Sequence, residues 1–200
     1  MSSALPAGRS HGAVVAASET CADLFRQTAL LPAGGRLRHA RRPARAGRGR
    51  VSAQHAWQGR PILRGRGSGP FLGTDVPVNF TAAFTKIPNL LPWRRAEVRD
   101  RHHPWYRRNI RGHVIALPTC IGSTHTGLVL LDLVRMHNGP AAIIVDHADS
   151  LLVSGVVLSE VWYDETVPIV EYDTAELRSA IPEGTTVAVD GETGSIEIVE

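Results

Sequence analysis

Apolar positions along this chain follow three patterns, and each pattern predicts a different element. From Gly112 to His137 the sequence reads GHVIALPTCIGSTHTGLVLLDLVRMH: an apolar run of strand length, a short polar loop, then a long apolar segment. The last part predicts a helix from about Thr124 to His137 that is apolar on most of its circumference (Leu128, Val129, Leu130, Leu131, Leu133, Val134, Met136), as expected of a helix buried between layers. Arg135 and His137 complement its last turn, Asn138-Gly139 offers a cap, and Pro140 prevents continuation. AAIIVD (141–146) is a continuous apolar run and predicts a buried strand, and VPIVEY (167–172) predicts another. LLVSGVVLSEVW (151–162), between them, is a mixed apolar segment. Asp173 stands where it would cap a short helix in DTAELRSAI. In TTVAVDGETGSIEIVE, apolar residues alternate on either side of Asp190-Gly191-Glu192-Thr193-Gly194, which predicts a closing hairpin.

Upstream, AWQGRPILRGRGSGPFL (56–72) reads as a short strand entering a glycine-rich region. A phosphate-binding loop would need GK[ST] leading into a helix, and neither follows; Gly65, Gly67 and Gly69 read instead as turn and bulge positions. DVPVNFTAAF (75–84) reads as extended. Strands, one buried helix and more strands describe a compact α/β domain.

Two hundred residues with 43% hydrophobic content suit one such domain with an appendage. No apolar run reaches the length of a membrane span. Cys21 and Cys120 are the only cysteines, which excludes a disulfide framework or a self-contained metal site and makes a reducing compartment the default.

A pI near 9.3 invites a nucleic-acid reading, but the charge is uneven. Residues 1–52 hold nine Arg against Glu19 and Asp23, whereas the other 148 residues hold thirteen basic and seventeen acidic side chains. Basicity belongs to this tail and says little about the domain expected over 53–200. The tail is crowded with Arg, Ala, Gly and Pro, a composition that predicts disorder. It also fits a mitochondrial presequence or an overextended reading frame, so a cytoplasmic location is expected with a mitochondrial one as the alternative. Arg without interleaved aromatics makes nucleic acid an unlikely partner.

Residues 86–111 form a second unusual region, with eight basic residues against Glu97 and Asp100, and with Trp93, Trp105 and Tyr106 interspersed. Three prolines exclude a continuous helix. A solvated loop and a loop facing substrate or a subunit are both open readings. From Gly112 onward fourteen acidic residues stand against two basic ones, which would let the loop dock on its own domain. His102 and His103 are adjacent and point to opposite sides of an extended chain, so they do not make a metal pair; His103-Pro104 reads as structural or substrate-lining. Cys120 and His125 flank the helix start, but two ligands do not make a zinc site.

The candidate chemistry lies at Gly122-Ser123-Thr124. A strand running through this loop into a helix aims unpaired amides at one point, where an anionic group would be held by hydrogen bonds and the helix dipole. Gly122 permits close backbone approach, and a hydroxyl there could move a proton once its pKa were lowered. Ser and Thr are also the commonest helix caps, so a purely structural role is the competing reading.

RGHVIALPTCIGSTHTGLVLLDLV, followed by GPAAIIVDHADSLLVSGVVLSEVW and VPIVE, resembles the small swivelling domain of the aconitase X family, which includes phosphomevalonate dehydratase and cis-3-hydroxyproline dehydratase. The likeness covers residues 60–200 and also takes in GRPILRGRGSG, TDVPVNF, RHHPWYRRNIRGHVIALP and the closing TTVAVDGETGSIEI. It implies a β/β/α swivel fold and the small subunit of a hydro-lyase acting on a small hydroxy acid. Ser123 would be the base, with Gly122, Thr124 and His103 binding substrate. This chain would bind no cofactor or metal of its own; an iron–sulfur cluster is expected in the partner, the large catalytic subunit. One departure stands out: where the family carries an SFWGG-like segment and a short turn into His-Pro, this chain reads NFTAAFTKIPNLLPWRRAEVRDRHHP, longer and more basic, which leaves substrate identity open. A noncatalytic swivel domain that binds a partner or a small anion is the alternative function.

Overall fold

The computed structural model describes residues 56–85, 96–122 and 125–199, all within one compact unit. The Arg-rich tail (1–52), the Trp93 region and the pair Ser123-Thr124 lie outside the described residues. The elements are β1 (Ala56–Gln58), β2 (Arg60–Leu63), β3 (Arg66–Gly73), α1 (Phe80–Phe84), β4 (Val114–Leu117), α2 (Thr126–Arg135), β5 (Ala142–Val145), α3 (Ser150–Tyr163), β6 (Ile169–Glu171), α4 (Thr174–Ala180), β7 (Thr186–Asp190) and β8 (Ser195–Ile198). No helix among the described residues is long and apolar enough to cross a membrane.

Strand order is β1-β8-β7-β3-β4-β5-β6-β2, and β3 belongs to two sheets in turn. Its first half, Arg66–Pro70, runs antiparallel to β7, and its second half, Phe71–Gly73, runs parallel to β4. Pro70, which has no amide to donate, sits at the handover. β4, β5 and β6 continue the parallel sheet. Period-two alternation then splits the side chains between two cores. Leu72, Ile115, Leu117, Ile143, Val145 and Ile169 face the helices, while Phe71, Val114, Ala116, Ala142, Ile144 and Val170 face β7, β8 and α4. The result is three layers: antiparallel sheet, parallel sheet, helices. This is the expected α/β architecture, and its β/β/α layering fits a swivel domain.

The β1–β2 segment closes the structure on itself. Only Gly59 separates the two strands, yet β1 pairs antiparallel with β8 and β2 pairs antiparallel with β6, at opposite ends of the strand order. Residues 56–63 therefore join both outer strands into one ring. Gly59 lies against the ring without a side chain, since a β-carbon there would sit 2.5 Å from Val170 Cγ1 and 2.6 Å from the Glu171 carbonyl oxygen.

Three expectations need correction, and the mixed segment LLVSGVVLSEVW, for which no element is expected, takes one. FTAAF is helical rather than extended, because the Asn79 side chain accepts a hydrogen bond from the Ala82 amide and starts α1. LLVSGVVLSEVW is also helical: the Asp149 carboxylate accepts from the Leu152 amide at 2.7 Å and begins α3. Gly67 and Gly69 are interior strand positions rather than turns, kept bare because β-carbons there would run into the carbonyls of Ala141 and Gly112; Gly65, with φ +124°, does turn the chain between β2 and β3. At the end of α2 the left-handed residue is His137 (φ +52°), not Asn138 or Gly139. The amides of His137 and Asn138 bond back to Val134 and Leu133 at 2.9 and 2.8 Å, forming a Schellman closure. Asn138 contributes through its side chain, which donates to the Met136 carbonyl at 3.0 Å.

Candidate functional site

After β4 the chain passes Pro118 and runs beside the segment that follows β3. The Val78 amide donates to the Thr119 carbonyl at 3.2 Å and the Ile121 amide to the Val78 carbonyl at 3.0 Å, so Val78 and Cys120 form a single parallel bridge. That bridge brings Gly122 to Asn79. Gly122 has φ +118°, open to glycine and costly for other residues. A β-carbon on it would lie 2.7 Å from Asn79 Oδ1 and 2.9 Å from both Cγ and Nδ2. The amide group of Asn79 thus lies broadside against the residue that leads into Ser123 and Thr124.

Thr124 directly precedes the N-cap of α2, which is His125, itself in helical conformation (φ −72°, ψ −10°). The first intrahelical bond runs from the Val129 amide to the His125 carbonyl at 3.0 Å, which leaves the first-turn amides without partners of their own helix. Thr126 is fully buried, and its hydroxyl has no hydrogen-bond partner among the described residues. Gly127 packs on Gly155, so the start of α2 is seated on the first half of α3. All of these groups gather beyond the C-terminal ends of the parallel strands, the edge at which open α/β sheets bind ligands.

Of the sequence-derived site residues, Gly122 and His103 are described, and Ser123 and Thr124 are not. His103 is buried. Its Nδ1 accepts from the Trp105 amide at 3.1 Å, which fixes the proton on Nε2, 3.3 Å from the Val76 carbonyl oxygen. The ring packs edge-on to Trp105, whose indole N–H donates to the Gly73 carbonyl at 3.2 Å. Both ring nitrogens are spent on the protein, so of the two roles open to His103 the geometry fits the structural one: it buttresses the segment leading to Asn79. Its neighbour His102 is exposed, in a run of turns rather than the extended chain expected there. The basic loop does reach its own domain, through an Arg108–Glu183 pair at 2.7 Å.

Sequence reasoning missed Asn79 and Asp149. The available signal was their type, since each is a capping residue directly before an apolar run. Asp149 also acts electrostatically on Cys120. Burial pushes the Cys120 thiol well above its ordinary value of 9.0, and the Asp149 charge pushes it further. A thiol held neutral is a poor metal ligand, and among the described residues no three His, Cys, Asp or Glu side chains come together around a metal position. These residues do not fit an iron–sulfur cluster. A separate cleft of about 210 Å³, lined by Arg111, His137 and Glu165, opens beside the C-terminal end of α2, away from Gly122.

The family described as the aconitase X swivel domain matches residues 56–198. A phosphomevalonate dehydratase small subunit from Methanothermobacter thermautotrophicus is 28% identical over 137 residues, which cover 68% of this chain and 95% of that protein. A cis-3-hydroxy-L-proline dehydratase from Pseudomonas aeruginosa is 32% identical over 110 residues, 55% of this chain but only 18% of that much longer protein. A crystal structure of Thermococcus kodakaraensis aconitase X in its holo form superposes with a TM-score of 0.61 at 26% identity, covering 73% of this chain and 99% of the matched one.

Proposed function

The chain belongs to the aconitase X swivel-domain family, and on that premise we propose that it is the small subunit of a hydro-lyase that dehydrates a small hydroxy acid of the phosphomevalonate or cis-3-hydroxyproline class. Its partner would be a larger subunit that carries an iron–sulfur cluster, and the assembly would work in the cytoplasm. The observation that carries the reading is the junction after β4. There a left-handed Gly122, pressed bare against Asn79, passes through Ser123 and Thr124 into the start of α2.

Dehydration breaks one C–H and one C–O bond, forms a C=C bond and releases water. In this reading Ser123 takes the proton from the carbon beside the carboxylate. The Gly122 and Thr124 backbone and the first-turn amides of α2 hold substrate oxygens, and the helix dipole favours the negative charge that develops on them. A free serine is a weak base, so its activation requires a closed cleft from which water is excluded. The cluster, when bound in the partner, supplies Lewis acidity.

The test is co-expression with the candidate large subunit, followed by assay on 5-phosphomevalonate and cis-3-hydroxy-L-proline. Turnover of either by the wild-type complex, with a loss of about 10²-fold or more in Ser123→Ala at preserved assembly, is the expected outcome. Unchanged turnover in Ser123→Ala removes that residue from the mechanism. A folded chain that captures no larger subunit and turns over neither compound favours a noncatalytic, anion- or partner-binding swivel domain.

A further inference from the structure

We propose that Arg178 is an anion-binding residue of this protein, its guanidinium taking a carboxylate or phosphate group of the hydroxy-acid substrate. The inference rests on the dehydratase reading and adds to it a cationic group that the fold itself leaves unused.

Arg99 and Arg178 are the two arginines among the described residues that are not exposed. Arg99 pairs with Glu97 at 2.8 Å. Arg178 makes no ion pair or hydrogen bond among the described residues, although its Nε is shut off from solvent. A guanidinium drawn out of water ordinarily has a carboxylate to meet it, because a buried charged donor without a partner is costly. The carboxylates on and next to α4 are committed elsewhere. Asp173 accepts from the amides of Ala175 and Glu176, Asp146 from the amide and hydroxyl of Thr174, and Glu176 from the Tyr172 hydroxyl, while Glu183 is paired with Arg108.

The side chain has a built seat. Its stem crosses Gly73, the last residue of β3, where a β-carbon would stand 2.5 Å from Arg178 Cγ and 2.9 Å from Cδ. Gly73 is itself pinned: its carbonyl accepts from the Trp105 indole at 3.2 Å, and it pairs with Ala116 of β4. Helix α4 is tied at Thr174 to Asp146, just beyond β5, and Leu177 beside Arg178 is fully buried. Arg178 therefore stands at the C-terminal ends of the parallel strands, where α/β sheets take ligands. It is open enough for a ligand to reach it. A guanidinium offers donors only, set in a planar fork, so the group it receives is a carboxylate or phosphate.

The test compares Arg178→Met and Arg178→Lys with wild type in the assembled complex, using whichever of 5-phosphomevalonate or cis-3-hydroxy-L-proline the wild type turns over. Methionine keeps an apolar stem over Gly73 and removes the unpaired donor, so the melting temperature of the full chain should equal or exceed that of wild type. Its kcat/KM should fall about 100-fold, mostly through KM; Arg178→Lys, which keeps the charge but not the fork, should lose only about 10-fold. Wild-type kcat/KM in Arg178→Met overturns the proposal while leaving the dehydratase reading intact. Weaker capture of the large subunit at unchanged KM overturns it too, since the guanidinium then meets a carboxylate of the partner. A wild-type complex that turns over neither compound sinks that reading and this one with it. If Arg178→Met does not fold, the KM of Arg178→Lys decides.

Discussion

Gly155 of α3 rests so closely on Gly127 of α2 that a β-carbon on Gly155 would stand 2.8 Å from the Gly127 α-carbon. Helix axes can approach to this degree only where both residues lack side chains. The contact seats the first turn of α2 on α3. Gly155→Ala must push the helices apart and should cost about 1–3 kcal/mol. Gly127→Ala, whose β-carbon would lie 2.8 Å from the Leu151 carbonyl oxygen, should cost a similar amount. Because both changes open the same gap, the double variant should lose less than the sum of the two, as read from denaturant midpoints.

Gly122→Ala strains the loop twice, through its φ of +118° and through the overlap with Asn79. A loss of about 1–3 kcal/mol in unfolding free energy is expected. Turnover in the assembled complex should fall further than stability does, since the same residue leads into Ser123. Full activity in Gly122→Ala would mean that close approach at this position is not used.

Cys120 should be inert in the folded protein. Its buried thiol, pushed up first by desolvation and then by Asp149, carries almost no thiolate at neutral pH. With Cys21→Ser as background, labelling by a thiol reagent should proceed only as fast as the domain opens. It should accelerate when denaturant approaches the unfolding midpoint. Rapid labelling under native conditions would contradict the burial.

Acid should destabilise the domain through Glu171 and Asp190. Burial alone would raise the Glu171 carboxyl, but the Ala148 amide at 2.7 Å and the Arg60 guanidinium at 2.6 Å outweigh it and hold it below its ordinary 4.5. Asp190 behaves alike: burial is outweighed by the amides of Glu192 and Thr193 and by Arg66, which hold it below its ordinary 3.8. Since the folded values lie below the unfolded ones, the stabilisation is complete above the ordinary values. It is lost as pH falls through the folded ones, because the unfolded chain takes up protons first. Melting temperatures recorded from pH 7 down to pH 3 should therefore begin to fall below about pH 4.5. Glu171→Gln and Asp190→Asn should flatten that limb. Added salt should weaken only the share owed to the exposed guanidinium groups of Arg60 and Arg66.

What the sequence reveals and conceals here follows from where each signal resides. AAIIVD is legible because a parallel strand covered on both faces needs a continuous apolar run; Ile143 and Ile144 enter different cores. The closing hairpin and the Asp173 cap are equally local, and both are present. The α3 helix leaves no period because its outward side is also apolar, with Val157, Val161 and Trp162 exposed. Its β-branched valines suit a strand as well, and only the Asp149 cap separates the two. Gly122 could be found from the strand–loop–helix junction, whereas its neighbour Asn79 is brought to it by a bridge between distant segments that no local pattern encodes.

The ring closed by residues 56–63 has a consequence for how the protein is made. Ala56 pairs with Glu197 and Arg60 with Glu171, so the first strands of the domain find their partners only in segments far downstream in the chain. Loop closure over such separations is slow, and during translation these strands must wait with unpaired edges while β3, β4 and β5 assemble. On the strength of those long separations, the closing of the ring, rather than the formation of any single layer, should set the pace of folding and the interval in which the nascent chain is most exposed to aggregation.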